Sequence, residues 1–119
     1  MTDDMNQSQV WTDEFPGAVT VCDRTGIILS MNDRSAASFA ADGGRALVGR
    51  NLLDCHPEPA RSTIADLLAR PRVNAYTIEK HGVKKLIYQA PWYRDGECQG
   101  LVELSLEIPA DMPHFVRAG

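Results

Sequence analysis

At 119 residues, with 44% apolar and 24% charged side chains, the chain has the make-up of one soluble domain built on a single core. A net charge of -4 denies it the basic face that a phosphate backbone requires, which argues against nucleic-acid binding, and no apolar run approaches the ~18 residues of a membrane span. Cys22, Cys55 and Cys98 are too widely spaced for a disulfide framework and the start is acidic, so a cytoplasmic protein is expected.

Residues 1–14 read as a polar tail and a short helix over 6–15, with Val10, Trp11 and Phe15 as its apolar side chains and Pro16-Gly17 as its end. An aromatic such as Trp11 on a terminal segment either docks on its own domain or joins a dimer interface. Ala18-Val19-Thr20-Val21-Cys22 and Ile27-Ile28-Leu29-Ser30-Met31 are β-rich runs joined by Asp23-Arg24-Thr25-Gly26, a hairpin signature. Asn32-Asp33 then offers capping oxygens to a helix over 34–40, which Asp42-Gly43-Gly44 ends. Residues 46–54 connect, with one turn of helix. Cys55-His56-Pro57-Glu58-Pro59 leads into the strongest helix, where Ala60, Ile64, Leu67 and Leu68 form an apolar stripe that stops at Pro71.

Three strands close the chain. Residues 74–80 end at His81-Gly82, and a long hairpin over 83–108 turns at Asp95-Gly96. In its second limb Val102, Leu104, Leu106 and Ile108 alternate with Leu101, Glu103, Ser105 and Glu107. The first row is expected to face the core and the second to form the wet outer face. In the first limb Leu86, Tyr88 and Ala90 share one face and Ile87, Gln89 and Pro91 the other, with the inward face left open. Residues 109–119 form a surface tail in which Phe115 is a candidate for docking. Two strands, then helices, then three strands predict an α+β domain over 15–108: an antiparallel sheet with its helices gathered on one face.

This order of elements resembles a PAS domain. The resemblance is carried by residues 15–28 with their Asp23-Arg24-Thr25-Gly26 turn, the helix start at Asn32, the Val48-Gly49-Arg50-Asn51-Leu52-Leu53 approach, and Trp92-Tyr93-Arg94-Asp95-Gly96-Glu97. Cys55-His56-Pro57 is similar to a bacterial subgroup, some of whose members are attached to hemerythrin-like or signalling modules. The resemblance implies a five-stranded sheet of order 2-1-5-4-3 and helices that enclose a ligand pocket. It also implies a non-catalytic sensory module that forms homodimers and acts on a kinase, cyclase or regulator output.

On that resemblance His56, Cys55, Asn32, Phe39, Leu52, Tyr76, Tyr88, Gln89 and Leu104 are the candidate ligand contacts. Val10, Trp11, Phe15, Leu101 and Glu103 are the candidate dimer contacts. The ligand is an unknown small molecule. Haem held by His56 is one option, weighed against a structural hydrogen bond from the same imidazole to the backbone. The central helix, where PAS haem sites of this kind place their histidine, has none in this chain. A nucleophile–base pair of Cys55 and His56 is disfavoured, because adjacent side chains diverge and no third residue orients them. Cysteines and histidines are too scattered for a zinc site, and no cysteine stands where a flavin photosensor would need it. A ligand-free homodimerisation scaffold is the alternative function.

Overall fold

The computed structural model describes residues 11–119. Val10 and the first half of the helix expected over 6–15 lie outside the described residues, whereas residues 11–13 are helical. The Trp11 ring meets Phe15 edge-on at 5.9 Å between centroids and is otherwise 66% exposed.

Strands β1 (Ala18–Asp23) and β2 (Ile28–Met31) form the expected first hairpin. Asp23 holds its turn, because Oδ1 accepts from the Thr25 amide at 2.9 Å, the Thr25 hydroxyl at 2.7 Å and the Ile27 amide at 3.0 Å. Helix α1 (Asp33–Ser38) follows with Asn32 as its N-cap, and is shorter than the expected 34–40. Two 3-10 turns, Ala40–Asp42 and Gly44–Leu47, occupy the expected glycine break and its flanks, and a third, Leu52–Cys55, supplies the helical turn expected within 46–54. The positive φ of Gly43 (122°) and Gly44 (56°) breaks up any longer helix there. Helix α2 (Ala60–Ala69) buries Ile64, Leu67 and Leu68.

Strands β3 (Asn74–Lys80), β4 (Val83–Arg94) and β5 (Glu97–Ile108) complete one antiparallel sheet of order β2-β1-β5-β4-β3. Asp95 and Gly96 both take positive φ, 52° and 80°, as a tight turn between β4 and β5 demands. Gly100 is required for a different reason. A Cβ there would lie 1.9 Å from the Cys22 carbonyl oxygen, the same oxygen that accepts from Trp92 Nε1 at 3.0 Å. No helix among the described residues is long and apolar enough to cross a membrane.

The two faces of the sheet are the reverse of the expectation. Thr20 and Cys22 on β1 are registered opposite Glu103 and Leu101 on β5. Thr20 bonds to Ser35 of α1, and Leu101 joins Cys22, Ile28, Ile64 and Leu67 in the core, so this is the helix-covered face. Leu101, assigned to the outer surface, is only 2% exposed. Glu103 lies on the same inner face. The unbroken apolar row Val102, Leu104, Leu106 and Ile108 points away from the helices and remains half-exposed, alongside Val19, Val21, Leu86 and Ala90. The open question on β4 resolves with it: Ile87 and Gln89 face inward, and Leu86 and Tyr88 face outward.

Asn32 ties these parts together. Its Oδ1 accepts from the amides of Val19 (2.9 Å) and Ser35 (3.0 Å), and its Nδ2 donates to the carbonyls of Thr12 and Gly17 at 2.8 Å each. Replacing it with alanine strands two amides and two carbonyls near a buried junction. We expect Asn32→Ala to lose about 2–4 kcal/mol in chemical denaturation, and a loss below about 1 kcal/mol would refute this role for it.

Asp23 gives a second expectation. Desolvation, the largest single effect, pushes its carboxyl up, but the Thr25 hydroxyl and the amides of Ile27, Thr25 and Gly26 together outweigh it and hold it below the usual range. A carboxyl lowered in the folded state stabilises above its unfolded pKa, and that stabilisation is lost as pH falls through the folded value. Asp23→Ala should therefore cost about 1 kcal/mol at neutral pH, with the gap in melting temperature from the parent narrowing in acid. A gap that widens on acidification would contradict the assignment.

Candidate functional site

The helices cover only part of the inner face, and what they leave bare is a cleft. Two adjoining hollows of about 420 and about 230 Å³ share His56, Tyr76 and Glu103. The larger is walled by Ala60, Thr63 and Ile64 of α2 and floored by Asn74 and Gln89. The smaller continues along the sheet past Phe39, Thr20, Ile78, Ile87, Ser105 and Lys85. This volume falls in the range that holds small ligands.

Glu103 stands at the centre of the cleft, and its setting is fixed by hydrogen bonding. Its Oε2 accepts from Gln89 Nε2 at 2.6 Å. A carboxylate only accepts, so the Gln89 amide must turn its NH2 group that way, which leaves Oε1 to accept from Asn74 Nδ2 at 2.8 Å. The register makes this possible. The turn at Asp95-Gly96 by itself would set Gln89 opposite Val102, and the irregularity between Trp92 and Tyr93 moves it opposite Glu103. Gln89 is 3% exposed, so its full complement of bonds matters. Burial, together with the Glu103 charge, raises the Tyr76 phenol above its ordinary range, so it remains a neutral hydroxyl.

His56 closes the other side. Its Nδ1 lies 3.0 Å from the Leu52 carbonyl, which only accepts, so Nδ1 carries a proton and Nε2 makes no hydrogen bond among the described residues. The ring also meets Phe39 edge-on at 6.0 Å. Cys55 is half-buried against the core, its thiol directed to the Asn51 carbonyl at 3.8 Å and pushed up in pKa by burial. Cys55 and His56 each engage a backbone carbonyl of the preceding turn, an arrangement that makes neither a thiolate nor a base aimed at it.

Of the nine expected ligand contacts, His56, Phe39, Tyr76 and Gln89 meet in the cleft. Tyr88 and Leu104 do not; they are registered opposite each other on the outer face. Leu52 is buried in the core at 3% exposure, and both polar groups of Asn32 are spent on the backbone. Glu103, taken as a dimer contact, belongs to the cleft, because the bulge and the inward face of β5 put it there. Thr20, Ala60, Thr63 and Ile78 also line it without having been expected. In the sequence Glu103 is one polar residue of a row with Ser105 and Glu107, and nothing local sets it apart from them. Another hollow, of about 440 Å³, opens outside β1 and β2 beside Arg45, but that guanidinium is already bonded to the Met31 carbonyl and to Asp33. No cluster of three or more metal-ligating side chains exists among the described residues.

Haem fits these residues poorly. The imidazole of His56 has the free Nε2 that iron would need, with the other nitrogen oriented by a carbonyl. The floor beside it, however, carries the Glu103 carboxylate, and a macrocycle bearing two carboxylates of its own would have to be laid over that charge.

The fold is shared with known sensory proteins. The PAS domain of BvgS from Bordetella pertussis superposes with a TM-score of 0.62 at 25% identity, covering 90% of this chain and 88% of that one. A sensory box sensor histidine kinase from Vibrio cholerae gives 0.60 at 14% identity, over 91% and 94% of the two chains. The Aer2 receptor from Vibrio cholerae, a dual PAS–haem oxygen sensor, gives 0.52 at 23% identity, over 78% and 95%. Among curated proteins, none is similar enough in sequence to count as a relative. The sequence itself matches the family described as the PAS fold across residues 12–110. With the five-stranded order, the capped α1 and the cleft beneath α2, this match makes the chain a member of the PAS family.

Proposed function

We propose that this PAS domain is a non-catalytic cytoplasmic sensory module that binds a small molecule in the cleft and passes the event through its sheet to a second copy of the chain, and so to a kinase, cyclase or regulator output. The observation that carries the reading is Glu103: a carboxylate oriented from one side by the Asn74–Gln89 relay, with its other oxygen accepting no hydrogen bond among the described residues. Polar groups prearranged in a partly apolar hollow are how such sites orient ligands. Glu103 also sits on β5 between Val102 and Leu104, which point to the opposite face. A ligand that favours one setting of β5 would shift the population of arrangements on the outer surface. The Cys55-His56-Pro57 approach supports placing the chain with the bacterial subgroup.

The outer face supports the second reading, a ligand-free homodimerisation scaffold. Leu86, Tyr88, Val102, Leu104, Leu106 and Ile108 form a half-exposed apolar surface across β4 and β5, the kind of patch that marks an interaction face. Trp11 and Phe15, the described dimer candidates of the N-terminal segment, stand near one end of it, since a Cβ on Gly17 would meet both Leu106 and Phe15.

Native mass spectrometry of the freshly purified protein, with an absorption spectrum and analysis of the denatured extract, separates these readings. A bound small molecule that is released on denaturation is expected. A Soret band would make haem through His56 the answer instead. A colourless protein of bare-chain mass, with a melting temperature that no metabolite in a screen raises, would leave the scaffold. In the same preparation, light scattering should show a dimer, and Leu104→Arg should weaken it at least about tenfold with the far-ultraviolet circular dichroism unchanged. A monomeric parent protein at tens of micromolar would end the dimer proposal.

A further inference from the structure

The cleft has a chemical bias that narrows its ligand. One of its polar atoms is an acceptor with capacity to spare, the second oxygen of Glu103, which accepts no hydrogen bond among the described residues. Several donors nearby are already engaged. Asn74 Nδ2 is given to Gln89, Gln89 Nε2 to Glu103, and the Thr63 hydroxyl to the Pro59 carbonyl at 3.3 Å. The Tyr76 hydroxyl can act either way. Lys85 and Lys80, the cations that line the smaller hollow, stand toward its far end, where Lys85 is registered opposite Glu107 on β5. The central charge is therefore negative and its environment asks for hydrogen. Ile64 and Ala60 on one side and Phe39 and Ile87 on the other supply apolar contact around it.

We infer that the cleft takes a small planar molecule with a cationic, N–H-bearing head, an amidine or an amino-substituted heterocycle, placed against Glu103. The inference rests on the reading of this cleft as a ligand site and adds its selectivity. An amidinium offers two parallel N–H donors, the geometry that a carboxylate accepts best, and its charge replaces the solvation that Glu103 gives up on binding. An anionic ligand of the same shape would meet the Glu103 carboxylate, a repulsive arrangement in a low-dielectric hollow.

Three probes of one shape test this: benzamidine, benzamide and benzoate, titrated at neutral pH into the full chain and into Glu103→Gln, and followed by amide chemical shifts. Benzamidine should move the amides of Tyr76, Gln89 and Glu103 and bind at least tenfold more tightly than benzoate. Glu103→Gln keeps an oxygen for Gln89 to donate to, so its spectrum should stay dispersed and benzamide binding persist, while the preference for benzamidine disappears. Benzoate binding as well as benzamidine, or a preference that survives in Glu103→Gln, overturns the inference and leaves the ligand site standing. If no probe moves the cleft amides of a folded protein, the ligand-site reading falls and the inference falls with it.

Discussion

The helices are too short for the sheet. Strands β4 and β5 each run twelve residues, about 40 Å of extended chain, whereas α1 and α2 have six and ten residues, about 9 and 15 Å of helix. One end of the inner face is therefore packed and dry, where Leu101 and Cys22 meet Ile64 and Leu67. Further along the strands the described helices only edge the sheet, α2 as one wall and the end of α1 as another, and the same face becomes a cleft. Polar residues can sit there because water or a ligand reaches them, and Glu103, Ser105 and Lys85 do.

That mismatch also accounts for the reversed faces. The usual inference from an alternating strand is that the apolar row is buried and the polar row wet. Here the outer surface is a broad apolar sheet face, half-exposed in the single chain, and the inner surface lines a polar hollow. Thr20 with Ser35, and Gln89 with Glu103 and Asn74, show how the inner polar groups are tolerated: each has a partner on the same face.

Cleft and outer face are two sides of one strand. Glu103 looks into the cleft, and its neighbours Val102 and Leu104 look out. A change in how Glu103 is held has a short physical path to the apolar surface, with no intervening element. The N-terminal segment enters through the same framework, since Asn32 bonds Thr12 and Gly17 while it caps α1 and holds the start of β1. In the proposed sensory role a signal would have two adjacent exits, the outer sheet and the segment around Trp11.

Local chemistry wrote the elements legibly. Asp23, Gly26, Asn32 and Asp95-Gly96 mark their turns and cap through bonds and dihedrals that depend on nearby residues, and β3, β4 and β5 lie where alternation put them. His56, Phe39, Tyr76 and Gln89 could be named because an aromatic or polar side chain beside apolar strands is conspicuous. Which face of the sheet is covered was decided only in three dimensions, because alternation tells which residues share a side and is silent on where the helices lie. The partnership of Glu103 with Gln89 belongs to the same class. A two-residue turn would have paired Gln89 with Val102, and the bulge that corrects it, with Gln99 as the extra residue opposite Trp92/Tyr93, has only the strand glycine Gly100 as its mark in the sequence. The sequence by itself thus determined the strands and their turns, through short-range bonds; the tertiary structure decided the site, through register and the reach of two short helices.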